Sequence, residues 1–221
     1  MTLLWSRLKA QASWTWAVLF TIHGILLIAL FRNGFHPYSS LRRWQEATFI
    51  LEVYLPLVLA LFLAPLPALD RSEGAAELHL SYRRPAFLQL LGHVALPLLL
   101  WALVAGATGW SIDQYYAELP LADLLTVLLY PAGALGGAAL AGGAIARHPI
   151  GGVVVVGLWW GLDLLYPAKL NRLCYLFLQY QPTDLDGALM QQRMLWVGLG
   201  ALLLTLLLAG RRERWVRERA A

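Results

Sequence analysis

Four ionisable side chains sit where charge is expensive. Glu52, Asp163, His23 and His93 each fall inside a run of apolar residues. A carboxyl in such a run either contacts a substrate or gate inside a polar cavity, or pairs with a donor such as Arg42, Arg172 or a tryptophan N–H to fix the packing of its neighbours. The two histidines share no helical spacing, so they form no metal pair and read as packing residues or as cavity contacts. Cys174 is the single cysteine, which excludes an internal disulfide and a CxxC metal site. Catalytic constellations are missing: no His-Glu-x-x-His, no Gly-x-Ser-x-Gly and no paired-aspartate motif of the kind metal-dependent lipid transferases use occurs. Lys9 and Lys169 are the only lysines, and neither stands in a Gly-x-x-x-x-Gly-Lys-Ser/Thr loop, so the chain holds no nucleotide through a P-loop.

The elements that carry these residues are set by composition. Of 221 residues 59% are apolar and 14% are charged, against about 25% charged in soluble domains. Mean hydropathy is +0.60. The apolar residues come in runs of bilayer length, which predicts an all-α integral membrane protein with a single transmembrane domain over 1–221. Six spans are expected, at about 13–31, 47–66, 85–108, 121–145, 149–166 and 194–210. Arg7 and Lys9 precede the first run, but no small-residue cleavage site follows, so it reads as a retained span rather than a signal peptide. Leu3, Leu4, Trp5 and Leu8 alternate with polar residues, either as an amphipathic interfacial helix or as an extension of span one. Pro65 and Pro67 close span two, and Pro85 opens span three at a position where its missing N–H has no partner to lose.

Basic residues orient the spans, because cytoplasmic segments hold the excess. Arg7, Lys9, Arg71, Arg83, Arg84, Arg147, Arg211, Arg212, Arg214, Arg217 and Arg219 make eleven on one side, against six on the other: Arg32, Arg42, Arg43, Lys169, Arg172 and Arg193. This predicts both termini in the cytoplasm and puts Glu52 and Asp163 in the outer half. The net charge of +4 is thereby explained by orientation rather than by nucleic acid. Seven of the ten tryptophans, Trp5, Trp14, Trp16, Trp44, Trp110, Trp196 and Trp215, fall near span ends and read as depth markers. Gly133-x-x-x-Gly137 and Gly157-x-x-x-Gly161 predict close helix approach, within the chain or between subunits. Between Lys169 and Gln192, the apolar stretch Leu173 to Tyr180 is too short to cross and is expected as a short helix that lies outside or re-enters the bundle.

The segment from Asp70 to Pro85 reads as a short cytoplasmic helix. Asp70 and Glu73 have the spacing of a capping box, and Pro85 forces a break. Asp70, Glu73 and Glu77 share one face; Ala75, Leu78 and Tyr82 share the other. Such a helix either is a solvated connector or is pushed by a soluble partner.

This layout resembles the small membrane subunits of ABC-2 type (type V) ABC transporters. The resemblance rests on the amphipathic start, on Leu66 to Pro85 with its Glu73-Gly74-x-x-Glu77-Leu78-x-x-Ser81 pattern, and on Gln192-Arg193 leading span six into Arg211-Arg212-Glu213-Arg214. It implies that Asp70, Glu73, Gly74, Glu77, Leu78 and Ser81 form a coupling helix on a separate cytoplasmic ATPase, which would bind the ATP and magnesium. It also implies a second membrane subunit, identical or not, and a bacterial cytoplasmic (inner) membrane location. The expected function is a permease exporting a lipid, peptide or other amphiphile. The small external region departs from the pattern of better-known members, which puts a large extracellular gate in doubt. Two readings of other classes stand beside it: a membrane scaffold or signalling subunit that tethers a soluble partner, and an enzyme using Glu52 and Asp163.

Overall fold

The computed structural model describes residues 14–34, 40–67, 86–116, 120–166, 173–180 and 186–220. Regular structure among them is helical throughout, with no strand. The helices are α1 (Trp14–Gly34), α2 (Ser40–Thr48), a π-helical turn (Phe49–Tyr54), α3 (Leu55–Leu63), α4 (Ala86–Tyr115), α5 (Leu121–Ala146), α6 (Pro149–Leu165) and α7 (Gly187–Ala220). Four stretches among the described residues are long and apolar enough to cross a membrane: Arg43–Leu63, Leu90–Tyr115, Ala122–Ala146 and Gly187–Arg211. Leu19–Ala29 and Pro149–Leu165 are apolar but shorter. The chain is thus a helical membrane protein. α4 continues past the expected end at Thr108 to Tyr115, and α7 begins at Gly187 rather than Met194.

Ser40 to Leu63 is one rod interrupted by the π-helical turn. The interruption has a covalent cause in Pro56, the second residue of α3. Proline offers no N–H, and its ring crowds the carbonyl four residues back, which is that of Glu52. A wider turn absorbs the conflict: the Leu55 N–H reaches the Ile50 carbonyl, five residues back. Just before the turn, the buried Thr48 hydroxyl donates to the carbonyls of Trp44 and Gln45 at 3.0 and 3.1 Å, which further loosens the regular ladder.

α5 is the packing hub and lies against α3, α6 and α7. Glycine makes this possible. A Cβ on Gly137 would lie 2.6 Å from the Gly198 carbonyl oxygen, and one on Gly198 would lie 2.7 Å from that of Gly133. The Gly133/Gly137 stripe therefore seats α7 within the chain, where backbones touch directly. Gly157 and Gly161 on α6 face open space. At one end of the bundle Gly143 meets the Ala64 carbonyl and Pro67, and Gly152 meets the Ala139 carbonyl. At the other end Tyr116 donates its hydroxyl to Glu46, tying the end of α4 to α2.

The segment 173–180 corrects one expectation. Its spacing predicted a short helix, but the backbone forms bends and turns with no helical run. Cys174, Tyr175, Leu176 and Phe177 are all buried in the main apolar core.

Candidate functional site

Irregular backbone beside transmembrane helices needs partners for its amides, since lipid offers none. Segment 173–180 finds them on two acidic side chains from different helices. Glu52, 2% exposed on the π-helical turn, accepts from the Gln179 N–H on both carboxyl oxygens at 3.1 and 3.0 Å, and from the Tyr180 N–H at 2.7 Å. Asp163, 1% exposed near the end of α6, accepts from the Leu176 N–H at 3.1 Å. The Trp159 indole N–H, one turn before Asp163, is shared between the Asp163 carboxyl at 3.1 Å and the Cys174 carbonyl at 3.3 Å. Arg193 on α7 donates to the Leu173 carbonyl at 3.3 Å. The two acids thus act as a clamp on one stretch of backbone.

Apolar packing completes the clamp. Phe177 meets Trp160 and Tyr175 edge-on, with ring centroids 6.4 and 6.1 Å apart, and Tyr180 lies 5.3 Å from Phe49. Trp160 donates to the Val53 carbonyl at 3.0 Å and Trp101 to the Leu55 carbonyl at 2.8 Å, so indoles from α6 and α4 cap carbonyls around the π-helical turn that bears Glu52. Burial, with the Asp163 charge adding to it, pushes the Cys174 thiol up to about 12, so it carries almost no thiolate near neutral pH. α7 starts afresh after the segment, with Asp186 capping the N–H groups of Ala188 and Leu189 at 3.0 and 3.3 Å.

His23 lies elsewhere. Its Nε2 is 2.9 Å from the Thr108 hydroxyl, and its ring stacks on Tyr54 at 5.7 Å, while Tyr54 donates to the Leu19 carbonyl at 2.7 Å. These contacts fasten α1 to α4 and to the π-helical turn. His93 is half-buried on α4. Among the described residues no group of three or more His, Cys, Asp or Glu is placed to hold a metal ion. Asp70, Glu73, Gly74, Glu77, Leu78 and Ser81 lie outside the described residues, as does the amphipathic stretch around Leu3 to Leu8.

Sequence reading singled out Glu52 and Asp163 but missed their common target. It offered a tryptophan N–H as a partner for such an acid, which Trp159 supplies to Asp163, but it did not single out Trp101, Trp159 or Trp160, which act as donors rather than as depth markers. A tryptophan well inside a span is itself a signal, because a buried indole N–H requires an acceptor. Comparison with known proteins finds no matching family model, no matching curated protein and no matching solved structure.

Proposed function

We propose that the chain is the membrane-spanning permease subunit of an ATP-driven transporter of the ABC-2 kind. In this reading six helices cross a bacterial cytoplasmic membrane with both termini inside, and a separate ATPase docks on the Asp70 to Tyr82 helix. The supporting observation is the clamped segment between α6 and α7. Irregular backbone beside transmembrane helices persists only where it is buried in protein or lines a cavity, and interrupted segments of this kind build the solute sites of many transporters. The clamp lies at the same end of the bundle as the Glu46 to Tyr116 contact, and Pro67 lies at the other end. With the basic excess inside, the clamp faces outward and the acidic stripe of Asp70, Glu73 and Glu77 faces the cytoplasm, where carboxylates can pair with a basic partner.

Affinity purification of the full chain from its native membrane tests this. An ATPase polypeptide should copurify, and magnesium-dependent ATP hydrolysis should accompany it. The double substitution Glu73→Lys with Glu77→Lys keeps helix propensity nearly unchanged but brings like charges together, which costs several kcal/mol at an interface. Recovery of the ATPase should then fall by two or more decades in affinity at equal membrane expression. Copurification of a non-ATPase partner would instead support the scaffold reading, and turnover by the lone chain an enzyme.

A further inference from the structure

Segment 173–180 sits in the bundle as a bound peptide sits in a cleft. Its central side chains are enclosed: Tyr175, Leu176 and Phe177 are each 0% exposed. Its amides are not committed to a helix of its own, because the backbone forms bends and turns with no helical run. They go instead to two carboxyls on separate helices, the Leu176 N–H to Asp163 and the Gln179 and Tyr180 N–H groups to Glu52. The acceptors therefore serve amides at positions 176, 179 and 180 of one irregular backbone. That spacing belongs to a peptide and not to a lipid with a single headgroup.

Glu52 also carries more than these donors need. A backbone N–H is neutral, and a glutamine oxygen or a carbonyl would accept from it with no charge to desolvate. Yet Glu52 is 2% exposed, and among the described residues no arginine, lysine or histidine pairs with it. Aromatic rings stand around it. Phe49 and Tyr180 lie 5.3 Å apart, Trp160 donates to the carbonyl of the adjacent Val53, and the Tyr175 phenol is pushed up by burial and then by the Asp163 and Glu52 charges. One phenol thus feels both acids. A carboxyl among aromatic rings and without a cation favours an ammonium group, which brings N–H donors and positive charge together.

We propose that segment 173–180 is the resident occupant of a peptide-binding cleft, and that an apolar peptide with a free N-terminal ammonium displaces it. The incoming ammonium sits at Glu52, a backbone amide of the same peptide at Asp163, and its apolar side chains where Leu176 and Phe177 now lie. That such a peptide is cargo rests on the transport reading; the exchange at the clamp does not.

Cys174 reports the exchange, since it is the single cysteine and is buried within the segment. The full chain in detergent is labelled with maleimide at about pH 7, where a peptide α-amino group is largely charged. Labelling is followed against rising concentrations of the tetrapeptide Leu-Phe-Leu-Phe amide, with its N-terminus either free or acetylated. The free peptide should accelerate labelling to a plateau, and the acetylated one should need about tenfold more, the gap between charged and neutral hydrogen-bond donors. Glu52→Gln, measured from its own starting rate, should abolish the gap. The proposal is overturned by no acceleration with the free peptide, by equal potency of the two peptides on the unaltered chain, or by a gap that survives in Glu52→Gln. Comparing the two peptides on the unaltered chain needs no variant, so a misfolded Glu52→Gln leaves that comparison decisive. ATP is absent throughout: a failed exchange leaves the copurification of an ATPase standing, and a missing ATPase leaves the exchange standing.

Discussion

Replacing Glu52 by alanine should free segment 173–180 from the bundle. The substitution strands two amides, those of Gln179 and Tyr180, which otherwise donate to the Glu52 carboxyl at 2.7 to 3.1 Å. An unsatisfied buried donor costs about 1–3 kcal/mol, so two give about 2–6 kcal/mol. Both donor residues are only half-buried, and water reaching them brings the loss to the lower end, about 2–3 kcal/mol. That raises the population of the released segment by roughly 30- to 150-fold. Cys174 reports the release: it is the single cysteine, it is buried within the segment, and its thiol is pushed up to about 12 while it stays there. Release exposes it and returns it to the ordinary thiol range. Maleimide labelling at constant pH should therefore accelerate by the same factor, roughly 30- to 150-fold, in Glu52→Ala. Glu52→Gln, which keeps one acceptor oxygen, should fall between it and the unaltered chain. Equal labelling rates in all three, with equal thiol content after denaturation, would refute the clamp.

At the α5 to α7 crossing, Gly198→Leu should lower stability by about 1–3 kcal/mol, the cost of overpacking, because a Cβ there lies 2.7 Å from the Gly133 carbonyl oxygen. Gly161→Ala, which faces open space, should change thermal unfolding in detergent little; equal effects at the two sites would contradict the packing described. Reporter fusions after Arg84, Arg147 and Ala221 should read cytoplasmic, and those near Ser39, Gln114 and Asp186 external; a cytoplasmic signal at Gln114 sinks the six-span orientation. The purified lone chain should hydrolyse ATP no faster than background, and magnesium-dependent turnover by it would remove the need for a partner ATPase.

Much of the fold was legible because the bilayer constrains it so strongly. Runs of bilayer length located the long helices, Pro149 marked the start of α6, and Pro65 with Pro67 marked the end of the second run. Glu52 and Asp163 stood out because isolated acids in apolar runs are costly. What they hold was hidden. Leu173, Leu176, Phe177 and Tyr180 have helical spacing, but the amides of Leu176, Gln179 and Tyr180 donate to carboxyls on other helices, so they cannot close helical rings. No pattern local to residues 173–180 encodes amides claimed by acids outside it, Glu52 at 127 and 128 residues' distance and Asp163 at 13. The π-helical turn did leave a trace, Pro56 four residues after Glu52, which reads as a break only once the crowded carbonyl is considered.

That turn also sets the rotational phase of everything before it. One residue accommodated in a wider turn rotates the preceding helix by about 100° relative to an unbroken α-helix, since each residue advances it by that angle. Glu46 on α2 and Glu52 within the turn therefore reach Tyr116 and segment 173–180 only in the phase that Pro56 enforces. Deleting a single residue between Phe49 and Tyr54 would leave α3 seated against α5 yet turn Glu46 away from Tyr116. Two contacts far apart in sequence are thus keyed to one proline, as two hands of a clock are keyed to one arbor.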